Sequence, residues 1–75
     1  MNREEILTTF GNNLKKIRLK RGLSQERLAE LVNVDRTYIG MVERGKKSIS
    51  LIYITRLLKV LQVSADDLFK GLNDE

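Results

Sequence analysis

Apolar residues recur along this chain at the three- and four-residue spacing of helices, with no strand-like alternation of useful length. Five segments follow from that spacing. In the first, Ile6, Leu7, Phe10, Leu14, Ile17 and Leu19 share a face, and Asn2 to Glu5 supply the starting turn. Gly11 lowers helix propensity in this run without ending it. Gly22 follows the last basic turn, where a left-handed residue closes a helix, and Leu23 then folds back on the core.

Ser24 caps a second helix with Leu28, Ala29 and Leu31 as its buried stripe. Arg27 stands where a capping box would carry Glu or Gln, so only the hydroxyl half is present. Ala29 is small at a point where two helices must approach closely. Asn33 tolerates the left-handed conformation and ends the helix, and Val34 anchors the turn. Asp35 caps a third helix whose Ile39 and Val42 face inward, leaving Arg36, Thr37, Gly40 and Met41 outside; it ends near Arg44 and Gly45. After the basic loop Lys46-Lys47-Ser48, Ile49 packs inward and Ser50 caps a fourth helix with Ile54, Leu57, Leu58 and Leu61 as its stripe. Val63 anchors the next turn. Ser64 and Asp67 bracket the start of a short fifth helix that contributes Leu68 and Phe69, and Gly71 to Glu75 read as a frayed tail.

The second and third helices, residues 24–45, are close enough in sequence to form a helix-turn-helix. In such a unit the first helix crosses the DNA backbone, and the second lies in the major groove with its N-terminal residues nearest the bases. Arg36 then reaches guanine with its two-pronged guanidinium, and Thr37 offers a hydroxyl to a base or phosphate, or a methyl to thymine. Met41 is either a soft thymine-methyl contact or a partly exposed gap filler. Tyr38 either sends its hydroxyl to a phosphate or packs as a half-buried ring. Gly40 reads as permission for close approach to the backbone or groove floor. Gln25 at the start of the supporting helix, with Arg44, Lys46 and Lys47 beyond the recognition helix, suits phosphate contacts that set register. Arg18 lies on the inward side of the first helix and needs a partner, for which Glu43 is the candidate.

Length and composition narrow the classes. Seventy-five residues make one domain, residues 1–75, with a core thin enough that dimerisation is a cheap way to bury more surface. The chain has no cysteine and no histidine, which excludes a disulfide framework and a Cys/His zinc site and removes the commonest general base. The acidic residues sit at helix starts and surfaces, where capping and the helix dipole account for them; Asp66 and Asp67 read as cap residues rather than a metal pair. No catalysis, cofactor or small-molecule ligand is expected. A polar, acidic N-terminus and the lack of a long apolar run point to a cytoplasmic protein without a membrane contact.

Charge is distributed unevenly. Residues 15–59 hold 12 basic and 4 acidic side chains, a net of +8, while residues 1–14 carry −1 and residues 60–75 carry −3. A basic middle with acidic ends suits a polyanion on one surface.

Leu23-Ser24-Gln25, Leu28-Ala29, Val34, Ile39, Glu43-Arg44-Gly45 and Leu61-Gln62-Val63-Ser64 with Leu68-Phe69 resemble the lambdoid phage repressor/Cro-type helix-turn-helix family over residues 10–70. The resemblance implies an all-α, five-helix lambda-repressor-like DNA-binding domain, a pseudo-palindromic double-stranded operator and transcriptional control. It also implies a phosphate-contacting Gln25, base-reading Arg36 and Thr37, and a structural Arg18–Glu43 ion pair. More narrowly, Asp35 to Gly40, Val42 to Gly45 and Ser48 to Leu51 are similar to controller proteins of type II restriction–modification systems, although Lys47-Ser48 replaces the more usual Arg-Asn. Those are small dimers that regulate the controller and endonuclease genes. The other readings are a phage, plasmid or chromosomal repressor of the same fold and an antitoxin-like protein-binding regulator.

One unit makes few base contacts, so a homodimer on a two-fold site is expected, with recognition helices about 34 Å apart or a multiple of that. Leu51, Ile52, Tyr53, Val60, Phe69 and Leu72 are the candidates for its seam, with Ile52, Tyr53 and Phe69 at the centre.

Overall fold

Five helices make up the computed structural model, which describes residues 1–72: α1 (Arg3–Lys20), α2 (Gln25–Val32), α3 (Arg36–Glu43), α4 (Leu51–Leu61) and α5 (Ala65–Leu68). The all-α, lambda-repressor-like architecture read from the sequence is the one observed. Each helix starts on a side-chain cap. The caps of α1 and α5 are full boxes, Asn2 with Glu5 and Ser64 with Asp67. Ser24 and Ser50 accept from the backbone N–H groups of Arg27 and Tyr53. Each such cap satisfies an otherwise orphaned N–H and stabilises its helix by about 1 kcal/mol.

The first three helices end in one way. At the end of α1, Gly22 N–H donates to the Leu19 carbonyl and Leu23 N–H reaches back to that of Arg18, the paired bonds of a Schellman turn. Asn33 and Val34 repeat the pattern after α2, and Gly45 and Lys46 after α3. The end of α4 is a variant that the sequence did not predict: Gln62 adopts a left-handed φ of 55°, and its N–H and that of Val63 both donate to the Leu58 carbonyl. Leu23, Val34 and Val63, each one residue past the left-handed position, pack on the core.

That core is Phe10 and Leu14 from α1, Leu28, Ala29 and Val32 from α2, Ile39 and Val42 from α3, Leu57 and Leu61 from α4, and Leu68 from α5. Several residues expected on the core faces of their helices are exposed instead. Leu31 is 41% exposed and Val32 takes its place, because Val32 falls between Leu28 and Ala29 around the helix while Leu31 falls about 100° from Val32, on the side away from Ala29. Leu19 is exposed on the far side of α1 from Phe10 and Leu14, and Ile6 is exposed one turn ahead of the core's first residue. Leu72, read as part of a frayed tail, packs half-buried on the core and donates its N–H to the Phe69 carbonyl. Asn73 to Glu75 lie outside the described residues.

Gly11 fixes how α1 crosses α3. A Cβ there would collide with the Val42 carbonyl oxygen and stand 2.6 Å from that of Glu43. The glycine that looked like a tolerated weak point in α1 is the contact through which the two backbones touch. Two residues past α3, Gly45 rests on α1 in the same manner, with Thr8 Oγ1 2.9 Å from where a Cβ would be.

Candidate nucleic-acid interface

The helix-turn-helix stands on a buried ion pair. Arg18 Nε donates to Glu43 Oε2 at 2.6 Å and Arg18 Nη2 to Glu43 Oε1 at 3.0 Å, while Arg18 Nη1 donates to the Leu23 carbonyl at 2.8 Å. Both residues are only 6% exposed. A two-pronged, charge-assisted contact of this kind fixes orientation as well as holding charge. Gln25 joins it, its Nε2 donating to Glu43 Oε1 at 3.0 Å. Because a carboxylate only accepts, this bond sets which end of the Gln25 amide points inward, and the second Nε2 hydrogen and Oε1 remain for other partners. One carboxylate therefore ties the end of α3 to α1 and to the start of α2.

The residues expected to read bases stand on α3. Arg36 and Thr37 are exposed in its first turn. Asp35 Oδ1 accepts the Thr37 N–H at 3.0 Å, so the cap engages the Thr37 backbone and leaves its hydroxyl unengaged. Met41 lies one turn further along the face of Thr37 and is half-buried.

The residues expected to hold the backbone differ in freedom. Arg44, Lys46 and Lys47 are exposed at the end of α3 and in its following loop. Tyr38 is half-buried, and its hydroxyl oxygen accepts the Ser50 N–H at 3.3 Å, which leaves the phenolic hydrogen free to donate. Its ring meets Tyr53 edge-on at 5.5 Å between centroids, with Lys47 Nζ 6.0 Å from the Tyr38 centroid and the Arg56 guanidinium 5.1 Å from that of Tyr53. The contacts of Tyr38 with Ser50 and Tyr53 carry no local sign in the sequence, because they join α3 to the start of α4; that of Arg56 with Tyr53 is made within α4, three residues apart.

Two expectations change. Gly40 is buried rather than on the outer face; Arg44 Nη1 lies 3.2 Å and Gln25 Oε1 3.7 Å from where its Cβ would be, so its smallness accommodates the protein's own side chains. The positive charge of the chain's middle is divided: Lys16, Lys20 and Arg21 line a groove of about 590 Å³ with Val63, Asp67 and Lys70, and Arg36, Arg44, Lys46 and Lys47 do not line it.

The six seam candidates also divide. Leu51 and Ile52 are 75% and 63% exposed, and Phe69 is 39% exposed while its ring leans on Phe10 at 5.7 Å. Tyr53 is half-buried between Tyr38 and Arg56, and Val60 and Leu72 pack on the core. The last two belong to the fold before they belong to any seam.

Residues 14–68 match the helix-turn-helix family. The chain belongs to it. It is 38% identical to the control protein C.MunI of Mycoplasma sp, a match that covers 95% of this chain and 97% of that protein. It is 43% identical to the control protein C.BamHI of Bacillus amyloliquefaciens over 84% of this chain and 79% of the relative. Its fold superposes on the restriction-modification controller protein C.AhdI of Aeromonas hydrophila with a TM-score of 0.80 at 44% identity, covering 84% of this chain and 96% of the other. The helix-turn-helix family thus accounts for the α2–α3 unit and for the helices that carry it. Among the described residues, no helix is long and apolar enough to cross a membrane, and no cluster of acidic side chains could hold a metal ion.

Proposed function

We propose that the protein is a sequence-specific DNA-binding transcriptional regulator that acts as a dimer and controls a restriction–modification operon, its own gene included. The observation that carries this reading is the near end-to-end likeness to control proteins, together with an α3 whose first turn offers Arg36 and Thr37 unobstructed. It is a binding protein and not an enzyme. Arg36 reads guanine O6 and N7, Thr37 and Met41 read the adjoining base edges, and Gln25, Tyr38, Arg44, Lys46 and Lys47 hold phosphates.

Selection of bound sequences from a random duplex pool tests the reading, because it returns half-site, spacing and symmetry together. A two-fold pair of half-sites spaced by about one helical turn, or a multiple, is expected; the absence of any enriched sequence refutes it. On the selected site, Arg36→Ala loses about 1–3 kcal/mol of discrimination at one base pair. Lys46→Ala instead weakens specific and random duplexes alike and makes the salt dependence shallower by about 0.9 in log–log slope. Equal weakening of both duplexes by Arg36→Ala makes that residue a phosphate contact.

The dimer rests on Leu51 and Ile52, large apolar side chains at the start of α4 that the fold does not bury. Putting a charge at the seam with Ile52→Glu shifts sedimentation to the monomer and removes binding to the paired site. A parent protein that sediments as a monomer at high concentration excludes the dimer.

A further inference from the structure

Arg44 and Gln25 come from different helices, yet both lie over Gly40. Arg44 Nη1 is 3.2 Å, Gln25 Oε1 3.7 Å and Gln25 Nε2 3.9 Å from the position a Cβ would take on that residue. The Gln25 amide is held from behind by Glu43, which is itself held by Arg18. Arg44 has no carboxylate partner among the described residues. The Gln25 amide, which keeps one Nε2 hydrogen free of Glu43, and an unpaired guanidinium therefore converge on one spot, above a helix position that has no side chain.

We propose that Gly40 is a positioning residue for a single DNA phosphate, keeping open a clasp in which the Arg44 guanidinium and the Gln25 amide act together. This rests on the DNA-backbone role proposed above for those two residues and adds that they form one site. The physical reason lies in geometry and charge. A phosphodiester carries one negative charge on two exposed oxygens, which suits a forked cation on one side and a neutral donor on the other. Bringing both donors to the same oxygens requires Arg44 to lie flat across α3 toward α2, and any Cβ at position 40 lies in its path. A glycine inside an eight-residue helix is costly to helix formation, and nothing in the core requires it here, unlike Gly11. A Cβ at 40 meets only the far ends of two flexible side chains, so the fold accepts it and the clasp does not.

The test is a double-mutant cycle of Gly40→Ala and Arg44→Ala, read on a mixed-sequence duplex that reports phosphate contacts independently of base readout. Arg44→Ala is expected to weaken binding by about tenfold and to flatten the log–log salt slope by about 0.9. Gly40→Ala is expected to raise or leave unchanged the Tm while weakening binding by about threefold or more, and to have no further effect once Arg44 is alanine. A second cycle, Gln25→Ala with Arg44→Ala, is expected to be non-additive as well, and stands even if Gly40→Ala does not fold. Additive losses in both cycles, or Gly40→Ala binding like the parent while Arg44→Ala is weakened, overturn the clasp. Full-strength binding by Arg44→Ala overturns the backbone role on which it rests.

Discussion

Glu43→Ala is expected to destabilise the protein by about 3–5 kcal/mol, because it leaves a guanidinium buried without its counter-charge. Arg18 would keep one hydrogen bond, from Nη1 to the Leu23 carbonyl, and lose both from Nε and Nη2. A chain of this length has a total stability of about 4–11 kcal/mol, so the loss takes a large share of it. Urea unfolding should show a much lower midpoint with a similar slope. Glu30→Ala serves as the control: the Arg27–Glu30 pair has a comparable 3.1 Å separation but side chains 58% and 60% exposed, and its loss should cost under about 0.5 kcal/mol. Replacing both partners, Arg18→Met with Glu43→Leu, should recover most of the stability, since no charge is then left stranded. The account fails if Glu43→Ala and Glu30→Ala shift the midpoint equally.

Gly11→Ala is expected to cost about 2–4 kcal/mol, the reverse of what the same change does in an ordinary helix interior. The obstacles are the backbone carbonyls of Val42 and Glu43. A flexible side chain could turn aside, but carbonyls in the last turn of α3 move only if the helix moves. The crossing of α1 and α3 must then widen, which also stretches the Arg18–Glu43 contact. Thermal unfolding of Gly11→Ala beside Gly40→Ala gives the comparison: one Gly→Ala change should lower Tm steeply and the other should not. A Gly11→Ala protein as stable as the parent would show that the crossing has slack.

The features that could be read from the sequence are those made within a few residues. Asn2, Ser24, Asp35, Ser50 and Ser64 cap helices through bonds to groups two or three positions on, and Asn33 turns the chain through its own φ. The inward faces of α3 and α4 followed from spacing alone. The errors cluster where a partner element decides. Leu31 and Val32 are equally apolar, and only the position of α2 against its neighbours selects Val32. Gly11 and Gly40 look alike in sequence, yet one meets a backbone some thirty residues away and the other makes room for Arg44 and Gln25. The Gln25–Glu43 bond, the Tyr38–Ser50 bond and the half-burial of Val60 and Leu72 all arise from helices meeting across the fold. The exposure of Arg36 and Thr37 is legible for the same local reason: a cap leaves its immediate followers exposed.

The edge-on pair formed by Tyr38 and Tyr53 gives the protein an optical reporter of its own. The chain has two tyrosines and no tryptophan, and the two rings touch at 5.5 Å where the recognition helix meets the exposed start of α4. All of the tyrosine emission therefore originates at one junction. Titration with duplex or with a second subunit can be followed there without a label.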